Sequence, residues 1–456
     1  HVFSFTDNVS IADEVRLKKL AQEKGLLMMG PDCGTGIISS IPIAFTNVVS
    51  PGNIGVVGAS GTGIQEVTTI IDRLGGGVVH AIGTGGRDLS DKVGAITVKD
   101  AIVALENHEP TDVITVISKP PAKEVRDEVV ELLQSISKPV VAIFLGEKPT
   151  SHEGKVYLAH TLEETAKIAV DLANDVAVKK NYFEALAKPA VPTLPEDKVV
   201  KGLYSGGTLA SEAGMLISEA LDLGGLVKAE GYVLKSHGYE VIDLGDDMYT
   251  QGRPHPMIDP DVRIEKIREY AQDEKTGIIL FDVVLGYGAH EDMVGALLPA
   301  IEEARATAKE AGRDLYFVAT VCGTTKDPQN YQSSVDRLKE GGVLVAESNA
   351  KAVQLALLLK GIEISEDDKE VVAYNGPTVD VPKPGEKVME LLTTKPRIIN
   401  VGLQSFTESI VDYGGETVQF NWRPRANGNK KMIKILDALE DYSEQIEAEN
   451  HRSEER

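Results

Sequence analysis

Ser60-Gly61-Thr62-Gly63 follows the apolar run Ile54 to Val57 and precedes a helical pattern. Small side chains at a strand-to-helix turn leave successive backbone N–H groups free to converge, and the helix start adds its positive end. That chemistry suits a phosphate, a carboxylate or an acyl phosphate, although the same turn also serves tight packing alone. No Gly-Lys-Ser/Thr follows, so a nucleoside triphosphate cradle is not expected. Gly206-Gly207-Thr208 repeats the pattern after Lys201 to Tyr204.

Gly85-Gly86-Arg87-Asp88 is a second anion candidate. Gly86 lets backbone approach a ligand, and Arg87 offers a planar fork to a carboxylate or phosphate, with Asp88 beside it. Otherwise Arg87 and Asp88 form a surface pair. Lys119, at a predicted strand end, is an anion contact and candidate catalytic cation, or a surface lysine. In Gly252-Arg253-Pro254-His255-Pro256-Met257-Ile258-Asp259-Pro260, three prolines hold Arg253 and His255 in a rigid loop, shortly after Asp246 and Asp247. His255 and His290 are the acid/base candidates. Arg253, Asp246, Asp247, Asp88 and Cys33 are candidate substrate contacts, with a buried structural thiol the competing reading of Cys33. No metal ligands are assigned.

These residues require a framework of strands that end in glycine turns. The 43 glycines cluster directly after apolar runs, where a parallel α/β sheet turns from strand to helix. Residues 1–50 read as strand, helix (about 10–24), strand, then a loop over 30–36, like the last part of a dinucleotide-type domain whose first strands would precede His1. Residues 51–187 form a unit with strands at Ile54 to Val57, Val78 to Ile82, Val113 to Ile117 and Val140 to Leu145. Helices are predicted over 63–74, 97–107, 122–135 and 161–174. A proline-stiffened linker over 188–198 leads to a third unit, 199–362, whose landmarks recur in order. The helix bearing Glu212 echoes that bearing Glu66, and Ile242 to Asp247 echoes Ile82 to Asp88. Ile278 to Leu285 echoes Val113 to Ser118, and Tyr316 to Val321 echoes Val140 to Leu145. The fold class is therefore α/β: tandem flavodoxin-like or Rossmann-like parallel-sheet domains, partly duplicated. Residues 396–456 read as a short β-α-β segment and a charged helical tail, frayed past Glu447.

Composition narrows the function. The 456 residues carry 47 Lys plus Arg against 70 Asp plus Glu, a net charge of −23, which argues against a nucleic-acid partner. Two cysteines, Cys33 and Cys322, are too few for a disulfide framework or a cysteine-built zinc site. No apolar run reaches the roughly 18 residues needed to span a bilayer. The reading is a cytoplasmic protein that handles small anionic molecules.

Gly30-Pro31-Asp32-Cys33, Ile54 to Thr62 and Gly85-Gly86-Arg87-Asp88 resemble the α-subunit pattern of succinyl-CoA synthetase. The runs Gly58 to Glu66, Gly252 to Pro260, Asp282 to Gly288 and Asn421-Trp422-Arg423-Pro424 resemble the FdrA family of acyl-CoA synthetase-like proteins, over essentially the whole chain. The resemblance implies a CoA-binding fragment at 1–50, ligase-CoA-like domains at 51–187 and 199–362, and more sequence before His1. It also implies a component of oxamate carbamoyltransferase in allantoin breakdown, turning oxalurate and phosphate into oxamate and carbamoyl phosphate. Phosphate would then be a substrate bound at Ser60, Gly61, Thr62 and Gly63, with Gly86, Arg87, Gly206, Gly207 and Thr208 as further anion contacts. CoA is left open.

One departure matters. Nucleotide-using relatives pass phosphate through a mobile histidine in a Gly-His-Ala-Gly loop, and no such loop occurs here. His152 and His160 fall in that stretch without the small residues on both sides that would let either swing, and Lys119 stands near the place of the orienting glutamate. This favours nucleotide-independent chemistry, in a homo-oligomer or a complex with other subunits. An acyl-CoA synthetase with its nucleotide half on another chain, and an inactive binding scaffold, are the alternatives.

Overall fold

A computed structural model describes residues 1–446 apart from 228, 441 and 444. The chain opens with β1 (Val2–Phe3), α1 (Ile11–Glu23) and β2 (Met28–Met29), whose strands pair in parallel as a small separate sheet. A hairpin follows, β3 (Thr35–Ile38) and β4 (Ile41–Ala44), where the sequence suggested only loop through residue 36.

The first repeated unit comprises β5 (Ile54–Ala59), α2 (Gly61–Arg73), β6 (Val78–Gly83), α3 (Ile96–Glu106), β7 (Val113–Ser118), α4 (Lys123–Ser135), β8 (Val140–Phe144), β9 (Ser151–Glu153), β10 (Val156–Ala159) and α5 (Leu162–Ala173). The second comprises β11 (Val199–Tyr204), α6 (Gly207–Leu221), β12 (Tyr232–Ser236), β13 (Tyr239–Asp243), α7 (Asp247–Thr250), α8 (Asp261–Gln272), β14 (Thr276–Val284), α9 (Met293–Glu310), β15 (Tyr316–Cys322), α10 (Tyr331–Glu340), β16 (Leu344–Ala346) and α11 (Asn349–Leu359).

The parallel core of the first runs β6-β5-β7-β8-β10 and that of the second β13-β11-β14-β15-β16. Both are the flavodoxin order, second-first-third-fourth-fifth. Each also carries an antiparallel neighbour on its second strand, β3 on β6 and β12 on β13. The duplication therefore extends to topology. β5, β7, β11 and β14 are buried along their whole length, which is why they read as mostly apolar runs, broken only by groups such as Lys201 and Asp282. Helix α2 is buried from Thr62 to Ile71 because it lies between its own sheet and helices α5 and α6.

β17 (Glu370–Val372) adds to the first sheet beside β9. α12 (Glu386–Thr393) precedes a β-α-β segment of β18 (Arg397–Val401), α13 (Glu408–Asp412) and β19 (Glu416–Phe420), with β18 and β19 parallel. It docks through α13, where Ser409 donates to the Pro42 carbonyl at 2.9 Å. α14 (Lys430–Glu440) begins the predicted tail helix, and the fraying expected past Glu447 lies outside the described residues. No helix among the described residues is long and apolar enough to cross a membrane.

Candidate functional site

In an open sheet of this order the binding crevice lies where first and third strands diverge, at β5/β7 in one unit and β11/β14 in the other. Ser60 caps α2, its Oγ accepting the Gly63 N–H at 2.9 Å. Gly206 caps α6 with no side chain. The two helix starts touch. The Ser60 and Thr208 hydroxyls are hydrogen-bonded, and the Thr208 N–H donates to Thr62 Oγ1 at 3.3 Å. A Cβ on Gly206 would stand 2.8 Å from Thr62 Cγ2, so this approach needs glycine. Two positive helix ends side by side repel unless negative charge lies between them.

The units meet that demand differently. β5 pairs Val57 with Val116, and β11 pairs Leu203 with Phe281, so Ile117 and Asp282 hold equivalent positions. Asp282 is fully buried and accepts the Ser205 and Gly206 N–H groups, each at 2.8 Å, and the Ser205 hydroxyl at 3.0 Å. Arg263 Nη2, 3.4 Å away, is its counter-ion. The second helix start thus carries its own anion, whereas Ile117 gives the first none. Among the described residues the N–H groups of Gly61, Thr62 and Gly207 have no acceptor.

Charged groups lie on the same side of the two sheets, at Gly86 and at Gly207. Lys119 Nζ lies 3.5 Å, and Asp32 Oδ2 2.9 Å, from the place a Cβ on Gly86 would take. No carboxylate stands within 4 Å of the Lys119 ammonium among the described residues. Asp243 ends β13, with Oδ1 accepting the Gly245 N–H at 2.9 Å and Oδ2 against Gly207. Burial pushes its carboxyl up and Lys119 draws it partly down, leaving it at about 6. His255 Nε2, Asp243 Oδ1 and the Ser205 carbonyl gather around Gly245, at 2.8, 3.1 and 3.1 Å from where its Cβ would be. His255 Nδ1 accepts the Met257 N–H at 3.2 Å, so the neutral ring carries its proton on Nε2. Burial lowers this imidazole to about 4, with Asp282 pulling upward and Arg263 downward. It is neutral at pH 7.

One turn behind each helix start lies a buried glutamate, and Asn349 joins the two. Its backbone N–H donates to Glu66 at 2.9 Å and its Nδ2 to Glu212 at 2.8 Å. Burial raises both carboxyls, Glu212 to about 7.

The remaining sequence candidates are placed otherwise. Arg87 Nη2 is 2.8 Å from the buried Glu14 carboxylate and donates to the Val9 carbonyl at 2.8 Å, so its fork is engaged within the chain. Asp88 is buried, pairs with Lys18 at 2.5 Å and accepts the Val98 N–H at the start of α3. Cys33 is buried and its thiol is pushed up by burial to about 12. Asp246 caps α7, Asp247 is exposed beside it, and Arg253 is exposed and faces Glu265 at 3.4 Å. His290 Nδ1 accepts the Asp292 N–H at 2.9 Å. Gly63 lies in the first turn of α2, where a Cβ would meet Ile117 Cγ2 at 2.9 Å. The structure therefore gathers Ser60, Gly61, Thr62, Gly206, Gly207, Thr208, Gly86, Lys119 and His255, and adds Asp243, Asp282 and Arg263. Asp243 is the last residue of its strand, and that position was the signal available for it. Neither His152 nor His160 is free: His152 Nδ1 accepts the Leu158 N–H, and His160 is held between Glu219 and Glu366.

The CoA-ligase family model matches residues 203–359, and the CoA binding domain model matches residues 49–146. The CoA binding match thus falls on the first repeated unit and not on the N-terminal segment. Uncharacterized protein YahF of Escherichia coli is 41% identical over 378 residues, 80% of this chain and 73% of the relative. Succinate–CoA ligase [ADP-forming] subunit alpha 2 of Archaeoglobus fulgidus is 25% identical over 149 residues, 32% of this chain and 50% of its own. Malate–CoA ligase subunit alpha of Methylorubrum extorquens is 27% identical over 153 residues, again 32% and 50%. A solved acetyl-coenzyme A synthetase 1 from Ca. Korarchaeum cryptofilum aligns with 78% of this chain and 76% of its own, at 12% identity and a TM-score of 0.29. At the identity and coverage it shares with YahF, the chain belongs to the same family as that protein, within the succinyl-CoA synthetase superfamily.

Proposed function

We propose that the junction of α2 and α6 binds phosphate or an acyl phosphate, and that the chain serves as a component of an oxamate carbamoyltransferase. One observation carries the anion site: two helix starts in contact, with three amides lacking acceptors among the described residues, and Lys119 close enough to act on Asp243, which lies against Gly207. The resemblance to the FdrA family carries the choice of substrate. A phosphate oxygen attacks the carbamoyl carbon of oxalurate, the bond from that carbon to the oxamate nitrogen breaks, and the nitrogen takes a proton. The products are carbamoyl phosphate and oxamate. The amides and Lys119 hold the phosphate charge and aim it. His255, neutral with its proton on Nε2, lines the second helix start as a donor.

The test incubates the chain, alone and with candidate partner subunits, with oxamate and carbamoyl phosphate. Oxalurate formed without CoA or nucleotide supports the reading; product that requires CoA overturns it. A second reading draws on the relatives named as alpha subunits of ADP-forming succinate–CoA ligases. In it the chain is an acyl-CoA synthetase subunit whose nucleotide half is a separate chain, and CoA-dependent phosphorylation of ADP is its signature.

A further inference from the structure

We propose that phosphate entering this junction brings a proton onto Asp243, which then serves as the acid for the departing nitrogen. The inference rests on the phosphate reading above and assigns a role to a residue in none of the site's recognisable motifs.

Geometry carries it. Asp243 Oδ2 lies against Gly207, whose N–H is one of the three amides without an acceptor, and that oxygen has no hydrogen-bond partner among the described residues. An anion bonded to the Gly207 amide therefore stands beside this carboxyl. Two acidic groups at that range cannot both stay fully ionised, so one proton is held between them. The groups facing Asp243 are Lys119 from the loop after β7, Asp246 from its own loop, Asp282 from β14 and His255 from the loop before α8. Asp282 is committed to Arg263 and two amides, and His255 holds its one proton on Nε2, so neither relieves the contact.

With hydrogen phosphate and protonated Asp243 in place, the transfer balances. The phosphate oxygen forms its bond to the carbamoyl carbon as the carbon–nitrogen bond breaks, and the Asp243 proton passes to the nitrogen to give oxamate. Asp243 ends as a carboxylate, and the proton remaining on carbamoyl phosphate returns to it or to solvent.

The experiment titrates inorganic phosphate into the whole chain calorimetrically at pH 7.5, in two buffers of different ionisation enthalpy, for wild type and Asp243→Asn. The expected result is uptake of close to one proton more per phosphate in wild type than in the variant, with that difference fading toward pH 5.5. Asp243→Asn binds phosphate at least as tightly at pH 7.5, keeps its circular dichroism spectrum and loses turnover. Equal proton uptake in the two proteins, or full turnover by the variant, overturns the proposal while leaving the phosphate site standing. Absence of phosphate binding by wild type overturns the site itself, and this proposal with it.

Discussion

The Ser60 and Thr208 hydroxyls are hydrogen-bonded to each other across the two repeated units. Ser60 caps one helix and Thr208 stands in the first turn of the other, so this bond keeps two positive helix ends in contact. Asp282 neutralises only one of them.

The first prediction concerns Lys119, whose charge acts on Asp243 beside Gly207. Lys119→Met is expected to weaken phosphate binding by 10- to 100-fold, about 1.4–3 kcal/mol for a charge-assisted hydrogen bond. Its urea midpoint should stay close to wild type, because the ammonium joins no ion pair among the described residues. An unchanged affinity would place the anion elsewhere.

Asn349 tests the brace behind the site. Asn349→Ala removes the Nδ2 donor to Glu212 and to the Leu209 carbonyl, both deep in the core. Leaving buried acceptors without partners is expected to cost about 2–4 kcal/mol in urea unfolding. A loss below about 0.5 kcal/mol would mean that Glu212 does not depend on this side chain; the backbone donor to Glu66 is kept in the variant.

His160 gives the structure a pH dependence with a definite sign. Burial alone would lower its imidazole, but hydrogen bonds and charge from Glu219 and Glu366 carry it up to about 9. The folded value lies above the unfolded one of about 6.5. The stabilisation is therefore complete below pH 6.5 and is lost as pH rises through 9, amounting to about 2–3 kcal/mol. His160→Gln should flatten this part of the stability–pH curve between pH 6.5 and 9.5. A wild-type curve already flat there would contradict the assignment.

Incubation with ATP labelled on its γ-phosphate is expected to leave no acid-labile label on the chain. His152 and His160 are fixed by hydrogen bonds, and neither stands in a loop of small residues. Label that survives purification and vanishes in His160→Ala would restore the nucleotide-dependent reading.

Much of the frame was legible because parallel strands buried on both faces read as short runs rich in apolar and β-branched residues, and because the spacing from Ser60 to Glu66 recurs from Gly206 to Glu212. The hairpin β3–β4 was not legible: its residues follow a Gly- and Pro-rich turn, and its pairing with β6 is set by the sheet edge. β9 and β17 are three residues each; β9 pairs with the nearby β10, and β17 exists through pairing with β9 across more than two hundred residues. Within the site, local motifs located the amides, but not what competes for the charged groups. Arg87 is engaged by Glu14, distant in sequence, and Asp282 is engaged by the turn that it supports. Asp243 lies in the repeated run Ile242 to Asp247, where Asp246 and Asp247 form the more conspicuous acidic loop, and only its place at the strand's end aims a carboxyl at Gly207.

The most direct test of the account is a crystal structure of the whole chain grown or soaked in inorganic phosphate. The account predicts one tetrahedral ion bonded to the N–H groups of Gly61, Thr62 and Gly207, with the Lys119 ammonium within hydrogen-bond reach. Phosphate bound at Arg253 or Arg87 with these three amides bare, or no ion at the junction at a concentration that saturates the protein in solution, would contradict it.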